Sequence, residues 1–275
     1  MNRRPANCRI HPARAMAAGF SLVELMVSLV AGLIVAGAVL AFTQSSLQSN
    51  TQYIQSTRLV QELRNASDQV SRELRRAGFN QAFVDQLQQL AGSAVVSSFA
   101  PILVEGEGTA TSCVIYAYDR APFNDTTRAG TVDLSNGEVR GIRRVVVEVD
   151  GRDVGVIEVA ESAAGAQPEC DDAEGDYAAY PPACEGQWCP LTDPRMVDIT
   201  RFQVDYVSQD VSVPASDLST LRTRVRDLEV VLEGASANDP DLVRRVETSI
   251  RVRADCLRSK TDMDAGICET APVGI

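Results

Sequence analysis

The chain has 275 residues, with 37 acidic and 26 basic side chains, which give a formal net charge of −11 at neutral pH. Such an acidic chain is a poor direct binder of nucleic-acid phosphates, which require clustered Lys and Arg. The single histidine, His11, and the lack of a glycine-rich phosphate loop or a nucleophile elbow give no support to an enzyme or a cofactor site.

The first predicted element is an apolar run at residues 20–42, which contains a single ionisable side chain, Glu24. A helix needs about 20 apolar residues to cross the hydrocarbon core, so the run predicts a transmembrane helix over residues 20–43. A secretory signal peptide is the alternative, but its apolar region has roughly 7–15 residues and ends at a small-residue cleavage site. Here the run is longer and continues into a polar helical pattern.

Four arginines and no acidic residue precede the apolar run: Arg3, Arg4, Arg9 and Arg14. Basic residues beside a spanning segment stay on the cytoplasmic side, so the residues after the run are expected outside the cytoplasm. A carboxylate within a spanning helix is costly and usually has a partner and a function. Glu24 is therefore the first candidate functional residue.

A short signal surrounds this carboxylate, since residues 19–25 read GFSLVEL after the basic leader. The segment resembles the class III signal of type IV prepilins and type II secretion pseudopilins. The resemblance implies that a prepilin peptidase cleaves between Gly19 and Phe20 and removes the leader, residues 1–19. The same kind of enzyme would methylate the new Phe20 amine, and Glu24 would be the fifth residue of the mature chain.

Cleavage would create an ammonium group on Phe20, four residues from the Glu24 carboxylate. Opposite charges attract far more strongly in lipid than in water because the dielectric constant is low. The amine of one subunit would then meet Glu24 of a neighbour and set the axial stagger of a filament. The alternative is that Glu24 simply reaches the nearby membrane interface.

Residues 44–78 are predicted to extend the helix, because neither Pro nor Gly occurs between residues 43 and 77. Apolar side chains recur there at the spacing of one helix face: Leu59, Val60, Leu63, Ala66, Val70, Leu74 and Ala77. Gly78 provides a stop signal. We expect this half to pack on a globular domain. A coiled-coil dimer is the alternative, but its heptads are short and ragged.

Residues 71–79, SRELRRAGF, resemble the end of the long helix in PilW-type minor pilins and J-type pseudopilins. The resemblance implies an α+β, pilin-like fold, in which a long N-terminal helix packs on an antiparallel β-sheet domain. A mature chain of 256 residues suits these larger minor subunits better than a major pilin.

Residues 79–275 change to β-strand patterns and are long enough for one domain with its own core. Alternating or β-branched runs predict six strands, at residues 113–118, 142–149, 154–159, 199–207, 225–232 and 243–252. Asp150-Gly151 predicts a tight turn between the second and third of these strands. The last two strands are expected to form a second hairpin, joined by a polar loop at residues 234–240.

Seven cysteines become six when the leader, which contains Cys8, is removed: Cys113, Cys170, Cys184, Cys189, Cys256 and Cys268. An even number outside the cytoplasm indicates up to three disulfides, and the sequence cannot choose among the possible pairings. We expect a local Cys256–Cys268 bridge, bridges within residues 170–189, and a link from Cys113 to that segment. Zinc binding is the alternative, but the Cys184–Cys189 spacing is only loosely zinc-like.

A cysteine-rich loop at residues 161–194 contains the only tryptophan, Trp188, and a run of acids at residues 171–176. So long a loop is usually functional or disordered, and its cysteines favour order. Its carboxylates are of the type that binds Ca²⁺ but lack the EF-hand pattern, so a solvated acidic loop is favoured. Display for adhesion or partner contact is the other interpretation.

These motifs together predict a structural minor pilin, not an enzyme, for type IV pilus assembly and initiation at or near the pilus tip. The implied partners are prepilin peptidase, other minor and major pilins, the inner-membrane assembly platform and membrane lipid, without cofactor, metal or direct nucleic-acid binding. The protein would span the inner membrane once, with its C-terminal domain in the periplasm, and reach the pilus and cell surface after assembly. The alternatives are a J-type pseudopilin of a type II secretion system, a pilus-associated adhesin and a membrane-anchored enzyme.

Overall fold

The computed structural model describes residues 19–83, 97–121, 130–178, 180–212, 221–259, 264 and 266–270. The predicted leader, including Cys8 and His11 but not Gly19, therefore lies outside the described residues. The chain divides into two compact units, Met1–Tyr53 and Ile54–Ile275.

Helix α1 runs from Leu22 to Leu74, which is 53 residues. Its N-terminal part is long and apolar enough to cross a membrane, and none of that apolar window is buried. Its last part buries the predicted stripe except Val60, which is half-buried, and Leu63 and Leu74 are fully inaccessible to solvent. The helix ends at Leu74, and a turn at residues 75–78 follows, in which Gly78 adopts the left-handed conformation at φ 78° that favours glycine.

The first sheet is a five-stranded antiparallel meander whose strands follow one another in chain order. Its strands are β1 (Ile102–Glu105), β2 (Cys113–Ala117), β3 (Val139–Val149), β4 (Arg152–Glu161) and β5 (Trp188–Pro190). Val149 pairs with Arg152, so the β3–β4 turn is Asp150-Gly151, with φ of 53° and 74°. This confirms the predicted two-residue hairpin, because positive φ at both positions is what such a turn requires.

The second sheet contains β6 (Val197–Ser212), β7 (Leu221–Ser236), β8 (Asp239–Arg251) and β9 (Cys256–Ser259). Strand β7 lies between β6 and β8 and also pairs with β9. The predicted 234–240 loop is wrong, because β7 and β8 are joined by a turn at residues 237–238. Ser236 pairs with Asp239 and Ala235 with Val243, so residues 240–242 are absorbed as an irregularity of the ladder.

All six predicted strands are present, as β2, β3, β4, β6, β7 and β8, whereas the short strands β1, β5 and β9 were missed. The sequence predicted an antiparallel domain, but not that its strands form two sheets instead of one. The main core contains side chains of α1 and of both sheets, among them Leu63, Ile142 and Phe202. The α+β, pilin-like fold class predicted from the sequence is confirmed.

The two sheets meet along β6 through close polar contacts. The Arg144 guanidinium donates a 2.5 Å hydrogen bond to the Ile199 carbonyl, and the Gly155 N–H donates to Asp198 Oδ1 at 2.8 Å. A side chain at position 155 would collide with the Ile199 carbonyl. Gly155 therefore allows the two sheets to approach closely at this point.

The candidate assembly segment and the disulfide-held loop

The predicted cleavage site lies just before the helix. Gly19, Phe20 and Ser21 are not helical, and the helical pattern begins where the Leu25 N–H donates to the Ser21 carbonyl at 3.1 Å. Phe20 is 83 % exposed. The Gly19–Phe20 peptide bond thus lies in accessible, non-helical chain, as a peptidase requires.

Glu24 lies in the first turn of α1, where a negative charge suits the helix dipole. Its backbone carbonyl accepts the Ser28 hydroxyl at 2.7 Å, and its side chain is exposed. Among the described residues, none makes a hydrogen bond or ion pair with the Glu24 carboxylate. Any partner for this charge must therefore come from outside the described part of the chain.

The end of α1 is fixed to the first sheet by Glu73. Its carboxylate lies 3.3 Å from the Arg140 guanidinium and accepts hydrogen bonds from the hydroxyls of Tyr116 and Tyr118, each at 3.3 Å. Burial, followed by the nearby Glu73 charge, raises the pKa of the Tyr116 hydroxyl well above its ordinary value. Arg76 lies 4.2 Å over the Tyr118 ring, which closes the cluster.

The six predicted disulfide cysteines are joined in three bridges. Cys113 on β2 is bonded to Cys170, Cys184 to Cys189, and Cys256 to Cys268. Two of the bridges hold the predicted Cys-rich loop, one from β2 and one within the loop. The third holds the C-terminal 3₁₀ helix, Ile267–Glu269, to β9.

A buried ion pair that was not predicted from the sequence lies beneath the same loop. Arg143 and Glu158 are directly opposite on β3 and β4, their nearest charged atoms are 2.8 Å apart, and their side chains are 3 % and 0 % exposed. The remaining Arg143 donors reach loop carbonyls, those of Cys170, Asp172 and Ala173, at 2.7–3.0 Å. The only visible signal was alternation of polar and apolar residues, which is equally typical of solvent-facing positions.

Glu158 and Trp188 also attach the loop to the sheet beneath it. Glu158 also accepts hydrogen bonds from the Gly175 N–H at 2.6 Å and the Tyr177 hydroxyl at 3.0 Å. The Trp188 ring lies 4.0 Å from the Arg143 guanidinium, and Gly141 leaves the space that the ring occupies. The loop is therefore attached by buried polar contacts as well as by disulfides.

Two of the acidic residues of the loop make structural contacts. Asp172 accepts from the Trp188 indole N–H at 3.2 Å, and Asp176 accepts from the Ala178 N–H at 2.9 Å. Within the described ranges, no group of three or more His, Cys, Asp or Glu residues is placed to hold a metal ion.

Comparison with known proteins gives two matches at the level of families. Residues 14–40 match the prokaryotic N-terminal methylation motif, which covers the predicted cleavage site and Glu24. Residues 52–252 match the family described as prepilin peptidase-dependent protein B. No curated protein and no solved structure matches the chain significantly. With its apolar N-terminal helix and disulfide-containing β domain, the chain belongs to the prepilin peptidase-dependent protein B family and is a pilin-like protein.

Proposed function

We propose that this protein is a minor pilin of PilW type, which helps to initiate assembly of a type IV pilus and is placed at or near its tip. The family match supports a pilin or pseudopilin role. The finer assignment is supported by the resemblance of residues 71–79 to the helix end of PilW-type proteins and by six cysteines after the leader.

Processing would begin with cleavage between Gly19 and Phe20 and methylation of the new amine. The match of residues 14–40 to the methylation motif and the exposed, non-helical chain around Phe20 support this step. The resulting ammonium of one subunit would pair with Glu24 of a neighbour in a medium of low dielectric constant.

The single observation that carries the proposal is the unpartnered apolar helix surface with one carboxylate. Large side chains along it are mostly exposed, for example Leu33 at 65 % and Phe42 at 76 %. Water is a poor environment for such a surface, so it requires lipid first and other pilin helices afterwards. The four leader arginines favour a cytoplasmic N-terminus and a periplasmic domain, a compartment that permits disulfides.

The partners in this proposal are prepilin peptidase, minor and major pilins, the inner-membrane assembly platform and membrane lipid. After assembly the domain would be on the pilus at the cell surface.

Mass spectrometry of the mature N-terminus tests the processing step. We expect N-methyl-Phe20 as the first residue. An intact Met1, or a start after Phe42, would show that the chain does not follow the prepilin route.

A J-type pseudopilin of a type II secretion system would share the processing site and the fold. Deletion of the gene separates the two roles, because a minor pilin is expected to be needed for piliation and a pseudopilin for secretion of folded proteins. Normal piliation together with a secretion defect would replace the pilus assignment. Normal piliation with loss of surface attachment would instead favour an adhesin, whose contact surface would be the cysteine-rich loop at residues 161–194.

A further inference from the structure

The segment that ends α1 contains two residues that the fold does not explain. Leu74 and Ala77 are fully buried in the core, and Gly78 fits against the Arg226 guanidinium. Arg75 and Phe79 are exposed instead, and the Phe79 side chain is 51 % accessible to solvent. Neither stabilises the core, so their position calls for another role.

The backbone that carries Phe79 is held firmly. The Gly78 N–H donates to the Ala117 carbonyl at 2.7 Å, and the Phe79 carbonyl accepts from the Asp119 N–H at 2.9 Å. The Phe79 N–H also donates to the Arg76 carbonyl at 3.1 Å. An aromatic ring on a fixed backbone loses little conformational entropy when it is covered by a partner.

Phe79 lines a concave pocket of about 310 Å³ together with three arginines and a tyrosine: Arg75, Arg76, Arg253 and Tyr118. This volume is at the lower end of the range of ligand pockets, so the pocket suits one or two side chains. A neighbouring cavity of about 380 Å³ shares Phe79 and Arg253 and extends the same surface.

The charge of this pocket is positive, although the chain as a whole is acidic. Arg76 is paired with Glu73 at 3.6 Å, but Arg75 and Arg253 make no side-chain hydrogen bond or ion pair with any residue in the described part of the chain. Among the described residues that line the pocket, Asp119 is the one acid, and its carboxylate accepts hydrogen bonds from backbone N–H groups, those of Gln81, Ala121 and Gly130, at 2.9–3.1 Å. Two guanidinium groups are therefore available to an outside anion.

We propose that this arginine–phenylalanine pocket binds an acidic side chain, next to an apolar one, on a neighbouring pilin-type subunit. Guanidinium groups bind carboxylates through paired hydrogen bonds, and Arg and aromatic residues are enriched in protein interfaces. A small pocket in a chain with net charge −11 fits a protein side chain better than a nucleic-acid backbone. The inference rests on the proposed pilin role.

Site-specific photo-crosslinking of the full-length chain in piliated cells tests the proposal. A benzophenone analogue of phenylalanine replaces Phe79, and crosslinked peptides are identified by mass spectrometry. We expect a crosslink to another pilin subunit within a few residues of an Asp or Glu. Arg75→Glu combined with Arg253→Glu is expected to reduce the crosslink yield at least about tenfold, the scale of one lost charged pair.

Arg58→Glu combined with Arg64→Glu is the matched control, since it makes the same charge change at two exposed positions of α1. It is expected to leave the yield unchanged. Replacing the crosslinked partner acid by Lys should restore the crosslink to the variant that carries both Arg75→Glu and Arg253→Glu, which a merely structural defect would not allow.

A crosslink to lipid or nucleic acid, no crosslink, or a yield that is the same in the charge-reversed variant would overturn the pocket assignment. If N-methyl-Phe20 and pili are present in those experiments, only the pocket inference fails. An unprocessed N-terminus in the same cells would show that the proposed function itself is wrong.

Discussion

One helix, α1, has two unlike parts. Around Leu33 its apolar side chains are exposed, whereas around Leu63 they are buried in a core built from two sheets. Both parts are helical, so helix propensity does not separate them. The difference shows that the second part is stabilised by the protein's own domain, and that the first depends on its surroundings.

Arg143→Ala is the strongest test of the domain that stabilises the second part of α1. Removing one member of a buried ion pair leaves the other charge uncompensated, which costs about 3–5 kcal/mol. We expect a loss of that order in the free energy of unfolding of the detergent-solubilised chain, measured by fluorescence of Trp188. That residue is a suitable probe because it is the only tryptophan and is buried in the domain.

A control for this substitution replaces both charges by apolar residues, as Arg143→Met with Glu158→Leu. Because no buried charge is left unpaired, a smaller loss is expected than for Arg143→Ala. Equal losses would mean that the pair matters through its loop contacts and not through charge compensation.

Two leucine substitutions compare the halves of α1 directly. Leu63→Ala creates a cavity in the core and is expected to cost about 2–5 kcal/mol. Leu33→Ala removes a side chain that is 65 % exposed, so the unfolding free energy of the domain should change by less than about 0.5 kcal/mol. Comparable losses in denaturant unfolding would contradict the division between the two parts.

Alkaline unfolding probes the cluster that holds the end of α1. The pKa of Tyr116 is raised in the folded state, so the protonated hydroxyl contributes to folding stability. This contribution is fully present below the pKa of the unfolded state, near 10, and is lost as the pH rises above it. Stability should fall above pH 10 by roughly 1.4 kcal/mol per pH unit for each such tyrosine. Tyr116→Phe should make this fall shallower, as measured by denaturant titrations at several pH values.

The smallest effect on stability is expected for Glu24→Ala, in the N-terminal part of α1, whose apolar side chains are exposed. Domain unfolding, cleavage and membrane insertion should be unchanged, because the described structure gives the carboxylate no internal partner. Incorporation into sheared filaments, measured by immunoblot, should fall. Normal incorporation would refute the proposed pairing of Glu24 with the Phe20 amine.

Local patterns in the sequence were enough for the helix, six strands and the Asp150-Gly151 turn, because each depends on near neighbours in the chain. The 234–240 loop was wrongly predicted because long-range pairing of β7 with β8 outweighed the local polar composition. The Arg143–Glu158 pair depends on strand register, which one sequence does not give. Arg226 also lies in a pattern that is typical of solvent-facing strand positions. It is nevertheless fully buried and donates hydrogen bonds to the carbonyls of Ala100 and Ala254.

The Cys113–Cys170 bridge has a mechanical consequence for the domain. It joins residues 57 apart in sequence, and the whole β3–β4 hairpin lies between them. A pull on the two ends of the chain passes through the bridge, so the hairpin carries no load. About 190–205 Å of chain, at ~3.3–3.6 Å per extended residue, is thereby excluded from stretching until the bridge is reduced.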